Sequence, residues 1–318
     1  MCLFPKLIPN RKYQKNKKNG GKPPFCDDPR KLLVPVGCGV CIECMKQKAL
    51  EWKIRLYEEI KIYPYNYYVT LTFSPQALQD LCNESGLEEC NAIAGLALRR
   101  YFERWRKKYG TSQRHYFITE LGHEGTERIH LHGIVFSKFE IPSGEIEKMW
   151  KYGNVRIGDY CNLRTINYIA KYITKIDKDH KNYRPEIFCS AGIGKAYTEK
   201  ISSKNIHRYR GANTNDFYRF PNGTKCALPI YFRNKLFTEE QREELWCSKL
   251  DKNTRYVMGV QIINTNTLKG EEKYFRVLKK AQEKNAQLGY GDCTKEWQKK
   301  KYNVTQRMLK KGNGKVCE

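Results

Sequence analysis

The chain has 318 residues, enough for one large domain or two modest ones, and 40% of them are hydrophobic, so it can bury a core. No stretch approaches the roughly 20 apolar residues of a membrane-spanning helix, which argues against a helical membrane protein. Lys and Arg outnumber Asp and Glu by 59 to 34, and the resulting charge of +25 favours a polyanionic partner over an acidic or neutral one.

Aromatic residues make up 13% of the chain and interleave with the basic ones. Bases can stack on such rings while Lys and Arg hold phosphates, a pattern suited to single-stranded nucleic acid. The alternative is a basic protein without that role. The 13 cysteines are odd in number, and Met1-Cys2-Leu3-Phe4-Pro5-Lys6 carries no apolar export core. A reducing cytoplasm is expected, with the cysteines as free thiols or metal ligands.

Residues 1–35 contain a basic run, Arg11 to Lys22, followed by Pro23-Pro24. It reads as an extended arm able to lie on phosphates, or equally as a solvated tail. Cys38-Gly39-Val40-Cys41-Ile42-Glu43-Cys44 follows. Three thiols at this spacing suggest a metal knuckle, with zinc (Zn²⁺) as the structural ion and Cys26 or Cys2 as the fourth ligand; the alternative is a cysteine-rich helix start. A helix is expected from Ile42 to Lys61, where Ala49, Trp52, Leu56 and Ile60 share a face and Lys46, Lys48, Lys53 and Arg55 cover the rest.

Tyr67 to Phe73 alternates as a strand, ended by Ser74-Pro75 with Ser74 available as a helix cap. Residues 76–109 read as helical, stopped by Gly110. His115 to Glu120 is a second strand, and a polar turn through His123 and Glu124 returns the chain into Arg128-Ile129-His130-Leu131-His132-Gly133-Ile134-Val135-Phe136. Side chains alternate along a strand, so His130 and His132 share one face and Leu131 enters the core. Two imidazoles on a rigid face suit a divalent metal, and Glu120 on the preceding strand can complete a His/His/Glu set. Mixed nitrogen and oxygen ligands admit Mg²⁺ or Mn²⁺. His123 and Glu124 are rival third ligands, and the bland reading is a pair of solvated histidines.

A short helix is expected from Pro142-Ser143 to Trp150, a strand at Gly153–Ile157 and a helix from Asn162 to Lys175. On that helix Tyr168 and Tyr172 stand four apart on one face, flanked by Lys171 and Lys175. Without context such a pair simply packs. Ser190 to Phe220 reads as a loop or linker, structure resumes at Pro229–Leu236, and 238–252 and 271–288 are helix candidates. The tail, 297–318, is again basic.

A Thr-rich strand (Val69-Thr70-Leu71-Thr72), a His-hydrophobe-His strand and a helix with Tyr-x-x-x-Tyr and lysines stand in fixed order. This combination resembles the HUH superfamily of endonucleases that initiate rolling-circle replication, in its two-tyrosine branch. With the cysteine cluster and the Met1-Cys2-Leu3 start, it is similar to the replication initiators of gokushovirus-type microviruses, phages with circular single-stranded DNA. The resemblance implies an α+β fold with a central antiparallel sheet flanked by helices, related to the RNA-recognition-motif topology. The expected division is 1–62 as basic arm, cysteine cluster and first helix, 63–180 as catalytic domain, and 181–318 as an accessory basic region.

The resemblance also implies a reaction. His130, His132 and Glu120 would hold Mg²⁺ or Mn²⁺ against a scissile phosphate. Tyr168 or Tyr172 would attack phosphorus, leaving a 5′-phosphotyrosine and a free 3′-OH, with Lys171 and Lys175 assisting. Arg128, Lys46, Arg55 and Arg164 would contact DNA. Implied partners are single-stranded DNA, replication-form origin DNA, and a host polymerase and helicase, in the bacterial cytoplasm and away from membranes. No Gly-x-x-x-x-Gly-Lys-Ser/Thr loop for an ATP-driven helicase is present. Rivals are a plasmid or transposon HUH nickase, a non-catalytic single-strand binder, and a histidine-triad phosphohydrolase, disfavoured because position 134 is Ile.

Overall fold

The computed structural model describes residues 1–122, 128–158, 161–176 and 183–292. It divides into two units, one formed by Met1–Glu51 with the chain from Tyr197 onward, the other by Trp52–Ala196. His123, Glu124 and the basic tail lie outside the described residues.

The first unit opens with β1 (Lys6–Pro9), paired antiparallel with β2 (Leu33–Val36). The arm between them is folded. Short helical turns at Arg11–Tyr13 and Lys17–Asn19 are capped by Asn10 and Asn16, and Lys12 is paired with Glu243 at 2.8 Å. α1 (Ile42–Ile60) then begins, as the apolar spacing predicts.

The second unit carries the sheet. β3 (Tyr65–Thr72) is followed by α2 (Pro75–Ser85) and α3 (Cys90–Tyr109), then β4 (Arg114–Leu121), β5 (Ile129–Ser137), α4 (Glu145–Trp150), β6 (Val155–Gly158), α5 (Leu163–Thr174) and β7 (Ile187–Cys189). The expected single helix over 76–109 is two helices. Gly86 ends the first in the left-handed region (φ 64°), and Glu89 caps the second. Ser74 caps α2 through Ala77 N, as the sequence suggests.

The five strands pair antiparallel in the order β6-β3-β5-β4-β7, so the histidine strand is central. This is the expected α+β fold with a central antiparallel sheet. β7 belongs to the sheet unit, whereas the sequence reading ended that unit at 180. Alternation divides the two faces. Val69, Leu71, Phe117, Leu121, Leu131 and Val135 join α2, α3 and α4 in one core with Trp105 and Trp150. Tyr68, Thr70, Glu120, His130 and His132 occupy the opposite parity, on the face over which α5 lies. Gly133 lets the strands close, because a Cβ there would stand 2.3 Å from both Phe117 Cδ1 and Tyr116 O.

The chain then returns to the first unit through α6 (Lys195–Glu199), α7 (Ile201–Ile206), β8 (Phe217–Arg219), β9 (Lys225–Ala227), α8 (Ile230–Leu236), α9 (Glu239–Asp251), β10 (Arg255–Val257), β11 (Val260–Ile262) and α10 (Leu268–Gln287). The expected loop over 190–220 therefore contains regular elements. Leu3, Cys41, Ile42, Val257, Ile262 and Ala281 form a small core, and buried Asn285 accepts a hydrogen bond from Ile42 N at 2.9 Å. Among the described residues no helix is long and apolar enough to cross a membrane.

Candidate active site

Register brings the polar residues of three strands to one place. Thr70 stands opposite His132, Thr72 opposite His130, and Glu120 opposite His130 on the other side. His132 is the hub. Its Nε2 lies 2.8 Å from Glu120 Oε2, and its Nδ1 lies 3.2 Å from both the Tyr68 and Thr70 hydroxyls. The residue is 8% exposed, and its ring stacks on Tyr172 at 4.4 Å with the planes 5° apart. Lys175 Nζ donates to Glu120 Oε1.

α5 presents the two tyrosines. Asn162 caps it in a reciprocal capping box with Thr165, and Ile166, Ile169, Ala170 and Ile173 bury its apolar face. Tyr168 and Tyr172 then project together. The Tyr172 hydroxyl donates to the Tyr168 oxygen at 2.7 Å. Tyr172 is 3% exposed and Tyr168 42%. Lys171 Nζ lies over the Tyr168 ring, 4.0 Å from its centre, and 5.3 Å from that of Tyr172.

The electrostatics follow from these contacts. Burial raises the Glu120 carboxyl pKa, but hydrogen bonds from His132 and Lys175 outweigh it, so it falls below the usual range. Burial, aided by the His132 neighbour, lowers that of His130, which favours the neutral imidazole a metal requires. Burial and the hydrogen bond to Tyr168 hold the Tyr172 phenol protonated far above its ordinary range.

The donor set fits a divalent cation. A ring nitrogen and a carboxylate oxygen 2.8 Å apart require positive charge between or beside them, supplied in this structure by a proton and the Lys175 ammonium. With Nδ1 held by hydroxyl oxygens, Nε2 is free to ligate. His130 adjoins the pair, but the ligand atoms of His130, His132 and Glu120 do not close to within 4.8 Å of one another; among the described residues the four-cysteine group alone does so.

That group is Cys2, Cys38, Cys41 and Cys44, an arrangement able to hold a metal ion. Cys26, the fourth ligand favoured from sequence, stands elsewhere, its Sγ donating to Asp28 O at 3.1 Å. Cys2 takes its place because β1–β2 pairing returns the start of the chain to the knuckle. Of the basic residues expected on DNA, Arg128 adjoins the histidine strand and Arg164 is exposed in the first turn of α5. Arg55 is engaged internally, over Trp52 and donating to Ile193 O at 3.0 Å. Lys46 is exposed and belongs to the first unit. Tyr68 and Thr70 escaped the sequence reading as site residues, although even-numbered positions on β3 and β5 share one face.

Comparison with known proteins places this site in a class. Residues 66–177, which contain every tyrosine, histidine and acidic residue just described, match the family model of replication-associated proteins of the ORF2 and gene 2 protein type. The chain is also similar to replication-associated protein VP4 of Bdellovibrio phage phiMH2K, at 25% identity over 234 residues, 66% of this chain and 69% of that protein. The likeness to phage replication-associated proteins read from the motifs is thereby borne out. No solved structure matches the chain.

Proposed function

We propose that the protein initiates replication by nicking single-stranded DNA and later rejoining it through a 5′-phosphotyrosine, in the manner of HUH endonucleases. The observation that carries the reading is the Tyr172-to-Tyr168 hydrogen bond, 2.7 Å long, beside the His132–Glu120 pair. The exposed Tyr168 attacks first. Its oxygen forms a bond to phosphorus, the P–O3′ bond breaks, and the tyrosine proton passes through the site to the departing 3′ oxygen. Tyr172 donates to the attacking oxygen and so stabilises its developing charge. The phosphodiester energy is kept in the new link, so rejoining requires no nucleotide. With one chain end held on Tyr168, Tyr172 is available for a second cleavage.

Lys175 and Lys171 supply positive charge at the phosphate. His132, Glu120 and the adjoining His130 would hold Mg²⁺ or Mn²⁺, which when bound neutralises charge on the phosphoryl oxygens. The +25 charge supports DNA binding, and host polymerase and helicase would extend and unwind from the freed 3′-OH in the bacterial cytoplasm.

The test is a random single-stranded oligonucleotide library with Mg²⁺ or Mn²⁺, resolved on a denaturing gel. A covalent adduct is expected. Tyr168→Phe should lower its first-turnover yield at least 100-fold, Tyr172→Phe about tenfold, and the double variant should leave none. Undiminished adduct in the double variant would sink the proposal. A non-catalytic single-strand binder would retain the DNA without any adduct.

A further inference from the structure

We propose that Cys2, Cys38, Cys41 and Cys44 hold one structural zinc ion, at a site that shares no residue with the nicking chemistry. The four sulfurs lie within 4.8 Å of one another, and the separations are 4.0 Å for Cys38–Cys44 and 3.9 Å for Cys41–Cys2. Thiolates about 2.3 Å from a tetrahedral ion stand roughly 3.8 Å apart, so these pairs already have the edge length of the tetrahedron. None of the four is in a disulfide, which would bring sulfurs to about 2.05 Å. An iron–sulfur cluster inserts several iron and sulfide atoms between its cysteines and would spread them farther. The spacing here admits a single ion.

The surrounding backbone favours the thiolate form. Phe4 N and Cys38 N donate to Cys2 Sγ at 3.3 and 3.2 Å, and Cys41 N donates to Cys38 Sγ at 3.3 Å. Such donors steady anionic sulfur and fix its direction. Gly39, between Cys38 and Cys41, sits at φ 77°, so the turn that aims both sulfurs inward uses a left-handed residue. At Gly37 a Cβ would stand 3.1 Å from Cys44 Sγ, so the chain passes the sulfur with room for little else. Loading exchanges the thiol protons for the ion: four thiols and one Zn²⁺ give the tetrathiolate complex and four protons.

The role follows from what the ion would join. Cys2 lies beside β1, Cys38 and Cys41 in the knuckle after β2, and Cys44 in the first turn of α1. The apolar cluster at this end has only six buried members, a small core of the kind that metals supplement in compact modules.

The experiment uses the full chain, produced with zinc under reducing conditions. Elemental analysis should find about one zinc per chain, and Co²⁺ exchange should give the intense visible bands of a tetrahedral tetrathiolate. Cys26→Ser and His130→Ala should keep the full complement, while Cys2→Ser and Cys38→Ser should each lose at least half. Zinc chelation of the wild-type chain should lower its melting temperature. A metal-free wild-type chain that takes up no cobalt, an iron–sulfide cofactor, a Cys2–Cys41 disulfide, or full zinc retention by Cys2→Ser would overturn the assignment. Adduct formation by Tyr168 is scored separately, so failure of either proposal leaves the other standing.

Discussion

At the scale of single residues, position on a strand decides chemistry. His130 and His132 are two apart and share a face, yet their surroundings differ. His132 engages Glu120, Tyr68, Thr70 and Tyr172, while His130 faces Glu120 only across the register. The shared face follows from alternation alone, so it is legible in sequence. Which imidazole becomes the hub is not, because that depends on strands and a helix distant along the chain, Tyr68 being 64 residues away. The Cys26-for-Cys2 exchange has the same origin: no local spacing tells which distant thiol the hairpin returns to the knuckle.

His115 shows a titration set by packing. It stacks on Phe102 at 3.7 Å, and burial lowers its pKa to about 4. The unfolded imidazole titrates near 6.5, so the folded state binds its proton less readily. The stabilisation is therefore complete above pH 6.5 and is lost as pH falls toward 4, an effect of about 3 kcal/mol. Chemical denaturation across pH 4–7 should show this slope in the wild-type chain and a flatter one in His115→Gln. Equal slopes would remove His115 as the cause.

At the scale of elements, α5 is both a packing helix and the mount for the tyrosines. Its four-residue tyrosine spacing and Asn162 cap were readable because both are local rules. Asn162→Ala should cost about 1 kcal/mol in thermal unfolding and lower adduct yield through fraying, with DNA retention little changed. The break between α2 and α3 shows the reverse. Apolar spacing carries on through Gly86, and only the capping at Gly86 and Glu89 separates the helices. On β5, Gly133→Ala would press a methyl into Phe117 and the Tyr116 carbonyl, so a loss of at least about 2 kcal/mol is expected. An unchanged melting curve would mean that the sheet yields there without strain.

At the scale of the whole molecule, composition speaks to partner class and topology to assembly. The charge of +25 predicts that retention of a single-stranded oligonucleotide falls steeply with salt, by at least about tenfold between roughly 50 and 200 mM, with the double tyrosine variant on the same line. A salt-independent affinity would deny the basic surface its part. The two-unit division was not legible, because composition does not change where the units meet and the sequence rules used are local. A fragment spanning 42–196, which keeps α1 entire, should unfold cooperatively by circular dichroism, since the sheet and the core containing Trp105 and Trp150 lie within it.

The sheet unit is an uninterrupted stretch, whereas the other unit is assembled from both sides of it. During synthesis the ribosome delivers Leu3, Cys41 and Ile42 first, and Ala281, which packs with them, about 240 residues after Ile42. At roughly 5–20 residues per second that is a wait of roughly 10–50 s, during which the sheet can finish folding while the earlier segment has no apolar partner. An ion captured early by the four thiols would shelter the nascent segment through that interval. Metal supply during translation, rather than afterwards, would then govern the yield of native chain.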